Sequence, residues 1–460
     1  MKKSRSTRLL TLILTLGMVS IACQTVTNTF IRATSTSNLG PIPIPTQPDS
    51  APPEQPDKPD QPQPVFQPEP TPTLAPLDTE FQLEIFQKLW ETVNEEYLYP
   101  DFNGVDWDDA YDRYKAKVEA GLDTESFYIT MDEMIWELND EHSAYLNPQQ
   151  VAADEAAYAG NNDYVGIGVW VLFEEEKDLA VVLLTFPGSP AEAAGIKSHD
   201  VFLSVEGMGF EDEDGAALEL MLGEPGTQVH FVIQTPGEEP REMTVTRARI
   251  TSSIPVPYEA LTTPGGKHIG YILIPTFSDS TIDKQVGDAL DDLTSDQPLD
   301  GIILDNRLNG GGWENIASNT LGYFTSGVVG HFANREGSEP FRVPRKNIGG
   351  SADLPLAVLV GPDTVSFGEI FSGVLKDQGR ATIIGETTDG NVEVLWGYDF
   401  DDGSLAWIAH DRFVPANNPD ADWEHNGIIV DIEAPGSWDE FTLETDPAVA
   451  AALVYFDGVE

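Results

Sequence analysis

The second half of the chain alternates between continuous apolar runs and amphipathic segments, and this alternation limits the fold more than any other feature. From Ile269 onward the apolar runs are "IGYILI", "LDGIILD", "LPLAVLVG" and "ATIIGE", separated by segments such as "TIDKQVGDALDDL" and "SFGEIFSGVLKDQG". Strands that lack polar alternation are buried on both faces, so helices must cover both sides of their sheet. We therefore predict an α/β core over residues 251–460. The segment "TDPAVAAALVYF" predicts its last helix, with Asp446 as the cap and Pro447 in the first turn.

Two regions with different patterns precede this core. Between residues 78 and 160, apolar residues recur at helical spacing, which predicts a small helical domain. The first series consists of Phe81, Ile85, Leu89, Val93 and Tyr97. Residues 161–250 instead contain short apolar strands and turns, with two short helices between them. The predicted fold class is α+β and multidomain, with an N-terminal helical bundle, a β-rich domain and the α/β core.

The N-terminal residues have the pattern of an export signal followed by a tether. A basic stretch, "MKKSRSTR", precedes the apolar "LLTLILTLGMVSIA", which is short for a membrane span. Cys23 follows at once, and "VSIAC" resembles a bacterial lipoprotein signal, in which the cysteine becomes the lipidated first residue; the alternative is an ordinary cleaved signal. We predict a lipoprotein-type signal peptide over residues 1–23 and an extracytoplasmic protein anchored to the cell membrane by lipid. The Pro/Thr-rich residues 24–77 predict a disordered tether.

The composition argues against several classes of partner. The chain has 77 acidic and 25 basic residues, a formal net charge of −52, which repels nucleic acid phosphates and anionic lipid head groups. We therefore expect no nucleic acid partner.

Cys23 is the only cysteine in the sequence, which excludes an intrachain disulfide and a cysteine-based zinc site. We expect that the protein needs neither a metal nor an organic cofactor.

The stretch "DTVSFGEIFSG" can be interpreted in two ways. Its "SFGE" matches a capping box, in which Ser366 accepts a backbone N–H at the start of a helix and Glu369 bonds back to the cap. The stretch also follows an apolar strand, and a serine on a sharp strand-to-helix turn is where hydrolases display a nucleophile. The second interpretation requires a base close to Ser366, because a serine hydroxyl alone is a weak nucleophile.

Residues 163 to about 250 resemble a PDZ domain. The stretch "GIGV" is similar to the carboxylate-binding loop of that family, and "PGSPAEAAGIKSHDVFLSVEG" is similar to the region around its first helix. The resemblance implies that the backbone amides of one loop bind the terminal carboxylate of a peptide that extends the sheet. The residues of this loop are Gly166, Ile167, Gly168 and Val169.

Three further stretches resemble the C-terminal processing, or tail-specific, serine peptidases: "DGIILDNRLNGGGW", "LAVLVGPDTVSFGEIFSGVLKDQGRATIIGETTDGN" and "WEHNGIIVDI". The resemblance implies that Ser366 is the nucleophile, although Gly368 replaces the second serine of the family's "S-x-S-E" motif. It also implies an oxyanion hole formed by Gly310 or Gly311 with the amide of Phe367, where each donor is worth roughly 3 to 4 kcal/mol. The alternative, a phosphate cradle at "NGGG", lacks the G-K-[ST] ending of a P-loop.

The base is the point at which this chain departs from the main branch of that family. Asn391 stands where the main branch has a lysine, and Lys376, the last lysine in the chain, lies on the order of 15 Å down the helix from Ser366. "LNDEHSAYL" is instead similar to the stretch that carries the histidine base of the tricorn-like branch, which here is His142. The same branch orients its histidine through a glutamate in "E-N-x-G", and "EHNG" offers Glu424. With an unperturbed pKa near 6.5, such a base predicts that activity falls as the pH drops through about 6 to 7.

The sequence therefore predicts an exported serine endopeptidase, tricorn-like and equipped with a PDZ domain. It would select polypeptides by their free C-terminal ends and cleave them through an acyl-enzyme on Ser366. One alternative is a catalytically inactive relative that only binds C-terminal peptides; a second is a surface scaffold on a proline-rich stalk. The reaction of Ser366 with a fluorophosphonate distinguishes the first alternative from the enzyme.

Overall fold

The structure is a computed structural model that describes residues 74–140, 142–160, 162–174, 177–210 and 220–459. The predicted signal peptide, Cys23 and nearly all of the predicted tether lie outside these residues, as does most of the second short helix predicted in the β-rich region. Among the helices that the structure describes, none combines the length and the apolar character needed to cross a membrane.

The predicted N-terminal helices are present, and each begins at an aspartate. They are α1 (Thr79–Glu96), α2 (Trp107–Glu119) and α3 (Thr124–Trp136). The carboxylates of Asp78, Asp106 and Asp123 each accept the backbone N–H three residues on, which satisfies an amide that the helix itself leaves unpaired. After them come strand β1 (Ala144–Leu146) and helix α4 (Pro148–Tyr158).

These helices share their hydrophobic core with strands from the far end of the sequence. Leu89 and Met131 pack in one cluster with Leu395, Trp407 and Ile408. Strand β1 continues this contact, because it pairs antiparallel with the strand Leu405–Pro415. The helical region thus packs directly on part of the predicted core, and this contact fixes the segment that contains His142.

The β-rich region comprises two sheets. Its elements are β2 (Asn162–Gly166), β3 (Val169–Glu174), β4 (Leu179–Thr185), α5 (Pro190–Ala194), β5 (Val201–Val205), β6 (Gln228–Gln234), β7 (Arg241–Thr246) and β8 (Ala248–Ser252). Strands β3 to β7 form one antiparallel sheet in chain order, and β2 pairs with β8. Alternate residues of β6 are buried, as a sheet with one face on a core requires.

A six-stranded sheet forms the centre of the C-terminal region. Its strands are β9 (Tyr258–Thr262), β10 (His268–Leu273), β11 (Gly301–Asp305), β14 (Leu356–Val360), β15 (Thr382–Gly385) and β18 (Ile432–Glu433). Across the sheet they follow the order β18-β15-β14-β11-β10-β9. All neighbours are parallel except β9 and β10, and every residue of β11 and β14 is buried. This arrangement confirms the predicted α/β core.

Helices cover both faces of this sheet. They are α6 (Ile282–Ser295), α7 (Glu314–Leu321), α8 (Phe367–Asp377) and α10 (Pro447–Gly458), with a short α9 (Trp423–Asn426) between the last two. Ile302 and Leu304 pack toward α6 to α8, whereas Ile303 packs toward α10. The prediction for α10 is confirmed, because Asp446 caps it and Pro447 occupies its first turn.

A second sheet lies beside the first and contains β1, β12 (Gly327–Ala333), β13 (Ser338–Val343), β16 (Val394–Asp399) and β17 (Leu405–Pro415). Strand β17 is its longest member and pairs with β1, β12 and β16. The residues just before β1 and just before β16 are thereby brought to one region, although the two strands are far apart in the sequence.

Candidate active site

The carboxyl ends of three neighbouring parallel strands meet at one edge of the central sheet. Asp305 ends β11, Val360 ends β14 and Gly385 ends β15, and these strands are adjacent in register. The glycine-rich loop follows β11, Ser366 follows β14, and the loop with Asn391 follows β15. Open parallel sheets place their sites at this kind of edge.

Ser366 stands on a tight turn between β14 and α8. Its backbone has φ 55° and ψ −124°, a region that residues other than glycine rarely adopt. The turn is held on both sides: the Val365 amide donates to the carbonyl of Asn309, and the Ser366 amide donates to the carbonyl of Asn391 at 2.8 Å. The serine is 2% exposed. A strained strand-to-helix turn of this type is the setting of a hydrolase nucleophile.

The hydrogen bonds of the turn contradict the capping-box interpretation. The Ser366 side chain makes no cap bond to the helix. The Glu369 carboxylate instead accepts the hydroxyl of Thr388 and the amides of Gly390 and Asn391, the last at 2.8 Å. Burial raises the pKa of Glu369 to about 7, although these donors favour its charged form. Glu369 therefore holds the loop after β15 against the start of α8.

The predicted glycine-rich loop lies against Ser366. A Cβ atom at Gly311 would stand 2.8 Å from the Cβ of Ser366 and 3.1 Å from the amide nitrogen of Phe367, so a side chain would not fit there. The Gly311 amide donates to the side chain of Asn309 at 2.9 Å. The resemblance offered Gly310 and Gly311 as donors to the oxyanion. Among the described hydrogen bonds, none involves the amide of Gly310, so this amide is the better candidate.

Crowding also accounts for the glycine in "SFGE". A Cβ at Gly368 would lie 2.2 Å from the carbonyl oxygen of Asn309. The backbone of the glycine-rich loop thus occupies the space that a serine side chain would need.

Asn391 lies beside Ser366, at the position where the resemblance expects a lysine. Its contact with the serine is through its backbone carbonyl, while its side-chain oxygen is buried without a hydrogen-bond partner among the described residues. The ammonium of Lys376 bonds to the Ile429 carbonyl and, at 2.7 Å, to Asp431. Neither residue therefore supplies an amine to Ser366.

His142 is positioned by the second sheet. The hydroxyl of the next residue, Ser143, accepts the amide of Ala409 on β17 at 3.0 Å. Ala409 lies opposite Leu395 of β16, and Glu393 immediately precedes that strand. The backbone amides of His142 and Ser143 both donate to Asp140. The imidazole is thus held on a rigid strand end, close to Glu393.

The imidazole faces two carboxylates. Its Nε2 atom lies 3.6 Å from Oε1 of Glu424 and 4.0 Å from Oε2 of Glu393. The other oxygen of Glu424 accepts the amides of Val392 at 2.7 Å and Glu393 at 3.0 Å. Residues 391 to 393 therefore connect the turn of Ser366 to this group, over roughly 7 Å of backbone at 3.3 to 3.6 Å per residue.

The charges around His142 determine its protonation. Burial lowers the pKa of His142, but Glu424, Glu393 and Asp140 together outweigh it and raise that pKa to about 9. Burial and the nearby charge of Glu424 together raise the pKa of Glu393 to about 7, although the charge of His142 acts to lower it. The expectation of an ordinary histidine pKa is therefore wrong, and His142 is mostly protonated at neutral pH.

The remaining histidines are engaged elsewhere. His199 is buried against Trp438, and burial lowers its pKa. His410 stacks on Trp396 in the second sheet, and His425 is exposed and bonded to Asp422. The others lie on strands or at their ends: His230 in β6, His268 at the start of β10 and His331 in β12.

The loop Gly166–Val169 joins β2 to β3 and packs against α5. Gly168 has φ 85°, and a Cβ there would lie 2.2 Å from that of Ser189, so glycine is required. The carbonyls of Ile167 and Gly168 accept the amides of Ala191 and Phe186. The side chains of Ile167 and Val169 are buried in the core of the antiparallel sheet. Carboxylate binding by this loop stays a prediction.

The sequence patterns did not identify two residues of the site, Glu393 and Tyr99. Glu393 is 4% exposed, and its Oε1 accepts the hydroxyl of Tyr99, a residue 294 positions away. A charge flanked by valines in "NVEVLW" was a signal that it is buried and paired. Nothing in the local sequence identified Tyr99 as its partner.

Comparisons with known proteins agree with this geometry. Residues 268–434 match the model of peptidase family S41, and residues 79–136 match the tricorn protease C1 domain. The chain is 30% identical over 388 residues to the carboxyl-terminal-processing protease of Synechocystis sp., covering 83% of this chain and 88% of that protein. It is also 30% identical over 346 residues to the chloroplastic C-terminal processing peptidase of Tetradesmus obliquus, covering 72% of each.

Among solved structures, the photosystem II D1 C-terminal processing protease superposes with a TM-score of 0.53 at 28% identity, covering 81% of this chain and 97% of that one. The fold and its relatives define a serine peptidase. The chain belongs to peptidase family S41, the family of the C-terminal processing proteases. The resemblance to the C-terminal processing peptidases is thereby confirmed.

Proposed function

We propose that this serine peptidase is exported and cleaves polypeptides that it selects by their C-terminal ends, through an acyl-enzyme on Ser366. The observation that carries the proposal is the strained, uncapped turn of Ser366, which residues 391 to 393 connect to the buried His142 and the partly exposed Glu424.

In the proposed mechanism, neutral His142 removes the proton of Ser366 as its oxygen attacks the carbonyl carbon of the scissile peptide bond. Glu424 stabilises the imidazolium, and the amides of Gly310 and Phe367 donate to the oxyanion. His142 then gives the proton to the leaving amine. Water, deprotonated by the same imidazole, hydrolyses the ester and restores Ser366.

The raised pKa of His142 predicts the pH dependence of this reaction. A general base must be neutral, so kcat/KM should rise as the pH increases through about 9 and fall as His142 is protonated below it. Glu393→Gln removes one of the charges that raise this pKa, and the profile should then move to lower pH. The measurement is the pH profile of peptide hydrolysis for both forms. A Glu393→Gln profile that coincides with that of the wild type would contradict the assignment of His142 as base.

We also propose that residues 161–250 form a PDZ-like domain that binds the substrate's C-terminus at Gly166, Ile167, Gly168 and Val169. Peptides with a free, apolar C-terminus should bind and be cleaved, and their amidated versions should bind much less well, because amidation removes the charge that a nest of backbone amides recognises. Fluorescence anisotropy and cleavage assays on matched peptide pairs measure this. Equal binding and cleavage of both members of each pair would contradict selection by the C-terminus.

Export and lipid anchoring at Cys23 rest on the N-terminal sequence. Full-length protein expressed in a bacterium should partition into the detergent phase, and Cys23→Ser should release it to the aqueous phase. Cys23→Ser is expected to leave the folded peptidase unchanged. Identical partitioning of both forms would remove the lipoprotein proposal.

Two features favour a second candidate, an inactive peptidase-like protein that only binds C-terminal peptides. Asn391 replaces the lysine of the main branch, and His142 carries a proton at neutral pH. In that case Ser366 would show no covalent reaction at any pH, whereas the enzyme should react more readily as the pH rises.

A further inference from the structure

The side chains of His142, Glu393 and Glu424 converge on one point. One ligand atom from each, the Nε2 and a carboxylate oxygen from either glutamate, lies within 4.8 Å of the other two. The two distances from Nε2 are 3.6 and 4.0 Å. In a tetrahedral zinc site with bonds of 2.0 to 2.2 Å, ligand atoms stand about 3.4 Å apart, so the three atoms must draw together by roughly 0.2 to 1.4 Å to close around an ion.

Each carboxylate is held by one oxygen and presents the other. Oε1 of Glu393 accepts the hydroxyl of Tyr99, and Oε2 of Glu424 accepts two backbone amides. The remaining oxygens, Oε2 of Glu393 and Oε1 of Glu424, are the atoms that face His142. Hydrogen bonds that orient the ligands from behind in this way are typical of metal sites in proteins.

Two of the converging atoms are buried and have only the longer ion-pair contacts of 3.6 and 4.0 Å. Nε2 of His142 and Oε2 of Glu393 make no hydrogen bond to any described residue. Their residues are 8% and 4% exposed. Buried polar atoms without a hydrogen bond are costly, and a cation bound between them would satisfy both.

The charge of the group also favours a cation. Within the described part of the chain, the ion pairs of Glu393 and Glu424 are with His142 alone, so the two ionised carboxylates face a single imidazolium charge and no lysine or arginine. Glu424, whose side chain is 22% exposed, provides access from solvent. One imidazole with two carboxylates is a ligand set that suits Zn²⁺, with a fourth position left for water.

We propose that His142, Glu393 and Glu424 bind one Zn²⁺ ion and that this ion holds the peptidase inactive. When the metal binds, the imidazolium of His142 releases its Nε2 proton to solvent, and the metal bonds to the lone pair that this leaves. The imidazole is then fixed and can no longer accept the proton of Ser366. Zinc is then a reversible inhibitor at the base, and the peptidase reaction itself uses no metal. The inhibitory part of this inference rests on the proposed function, whereas the binding of the ion does not.

Binding is tested without turnover, on full-length protein that carries Cys23→Ser so that the single thiol of the chain does not bind the ion. Competition with a chromophoric zinc chelator should show one tight equivalent of Zn²⁺ per chain. His142→Ala and Glu393→Gln should each weaken this binding by at least about 10-fold. His425→Ala, which removes an exposed histidine beside Asp422, is the matched control and should bind zinc as the parent does. Circular dichroism confirms that each variant is folded.

If the protein binds no tight equivalent of Zn²⁺, or if both His142→Ala and Glu393→Gln bind zinc as the parent does, the proposed zinc site is wrong.

Inhibition is measured separately, by the rate at which a fluorophosphonate labels Ser366 with and without Zn²⁺. Zinc should suppress the labelling and a chelator should restore it; labelling unaffected by bound zinc would overturn the inhibitory role. If Ser366 fails to label even without zinc while the ion still binds, the proposed function fails and the metal site stands.

Discussion

Ser366→Ala is expected to lower the peptidase rate by a factor of ~10⁶ while leaving the fold intact. The reason is that the substitution deletes the attacking oxygen and nothing that the fold depends on. Because the Ser366 side chain makes no cap bond, its loss should change the free energy of unfolding by less than the ~1 kcal/mol typical of a capping serine. Steady-state hydrolysis of a susceptible peptide and a thermal melt of the same preparations measure the two effects.

Ser372→Ala is a matched control on the same helix. The Ser372 hydroxyl is buried and bonds to the Gly368 carbonyl and to Asn306, so its loss should lower the melting temperature but spare most of the activity. If Ser366→Ala melts lower yet still cleaves peptides, then Ser366 is a structural residue and another group carries the reaction.

His142→Ala is expected to cost about as much rate as Ser366→Ala, because the members of a catalytic triad act as a unit. Asn391→Ala should cost far less, since Asn391 contacts Ser366 through its backbone carbonyl, which alanine retains. The rates of the three variants on one peptide substrate, at pH values from about 7 to 9, make the comparison.

Asn391→Lys provides the corresponding rescue experiment. In the background of His142→Ala, a lysine at this position should not restore full activity, because a buried amine must also be kept neutral by its surroundings. Near-normal turnover by His142→Ala would show that the tricorn-like assignment is wrong, and His410 or His425 would then be the next candidates for the base.

The parts of the site that follow the central strands were predictable from local patterns. The apolar runs before the glycine-rich loop and before Ser366 indicated parallel strands, and their carboxyl ends meet at one edge of the sheet. The preference for a nucleophile over a cap needed the surrounding motifs, because "SFGE" by itself fits both interpretations. Only the hydrogen bonds of Glu369 resolve that ambiguity.

The surroundings of His142 depend on contacts between distant parts of the chain. Strand β1 pairs with β17, and Tyr99 bonds to Glu393. No pattern in the local sequence predicts either pairing. For the same reason the sequence predicted an ordinary pKa for His142. The raised value arises mainly from Glu424 and Glu393, which lie more than 250 residues further along the chain, with a smaller contribution from the neighbouring Asp140. The packing of the N-terminal helices on β17 was hidden from pattern analysis in the same way.

The most direct test of the central claim is covalent labelling of the folded, full-length protein with a fluorophosphonate, followed by peptide mapping. We expect a single modified residue, Ser366, with a labelling rate that rises between about pH 7 and 9 as His142 loses its proton. Labelling should be lost in Ser366→Ala and strongly slowed in His142→Ala. Folded protein in which Ser366 stays unlabelled across this pH range, with zinc removed by a chelator, would contradict the proposed enzyme and favour the binding protein.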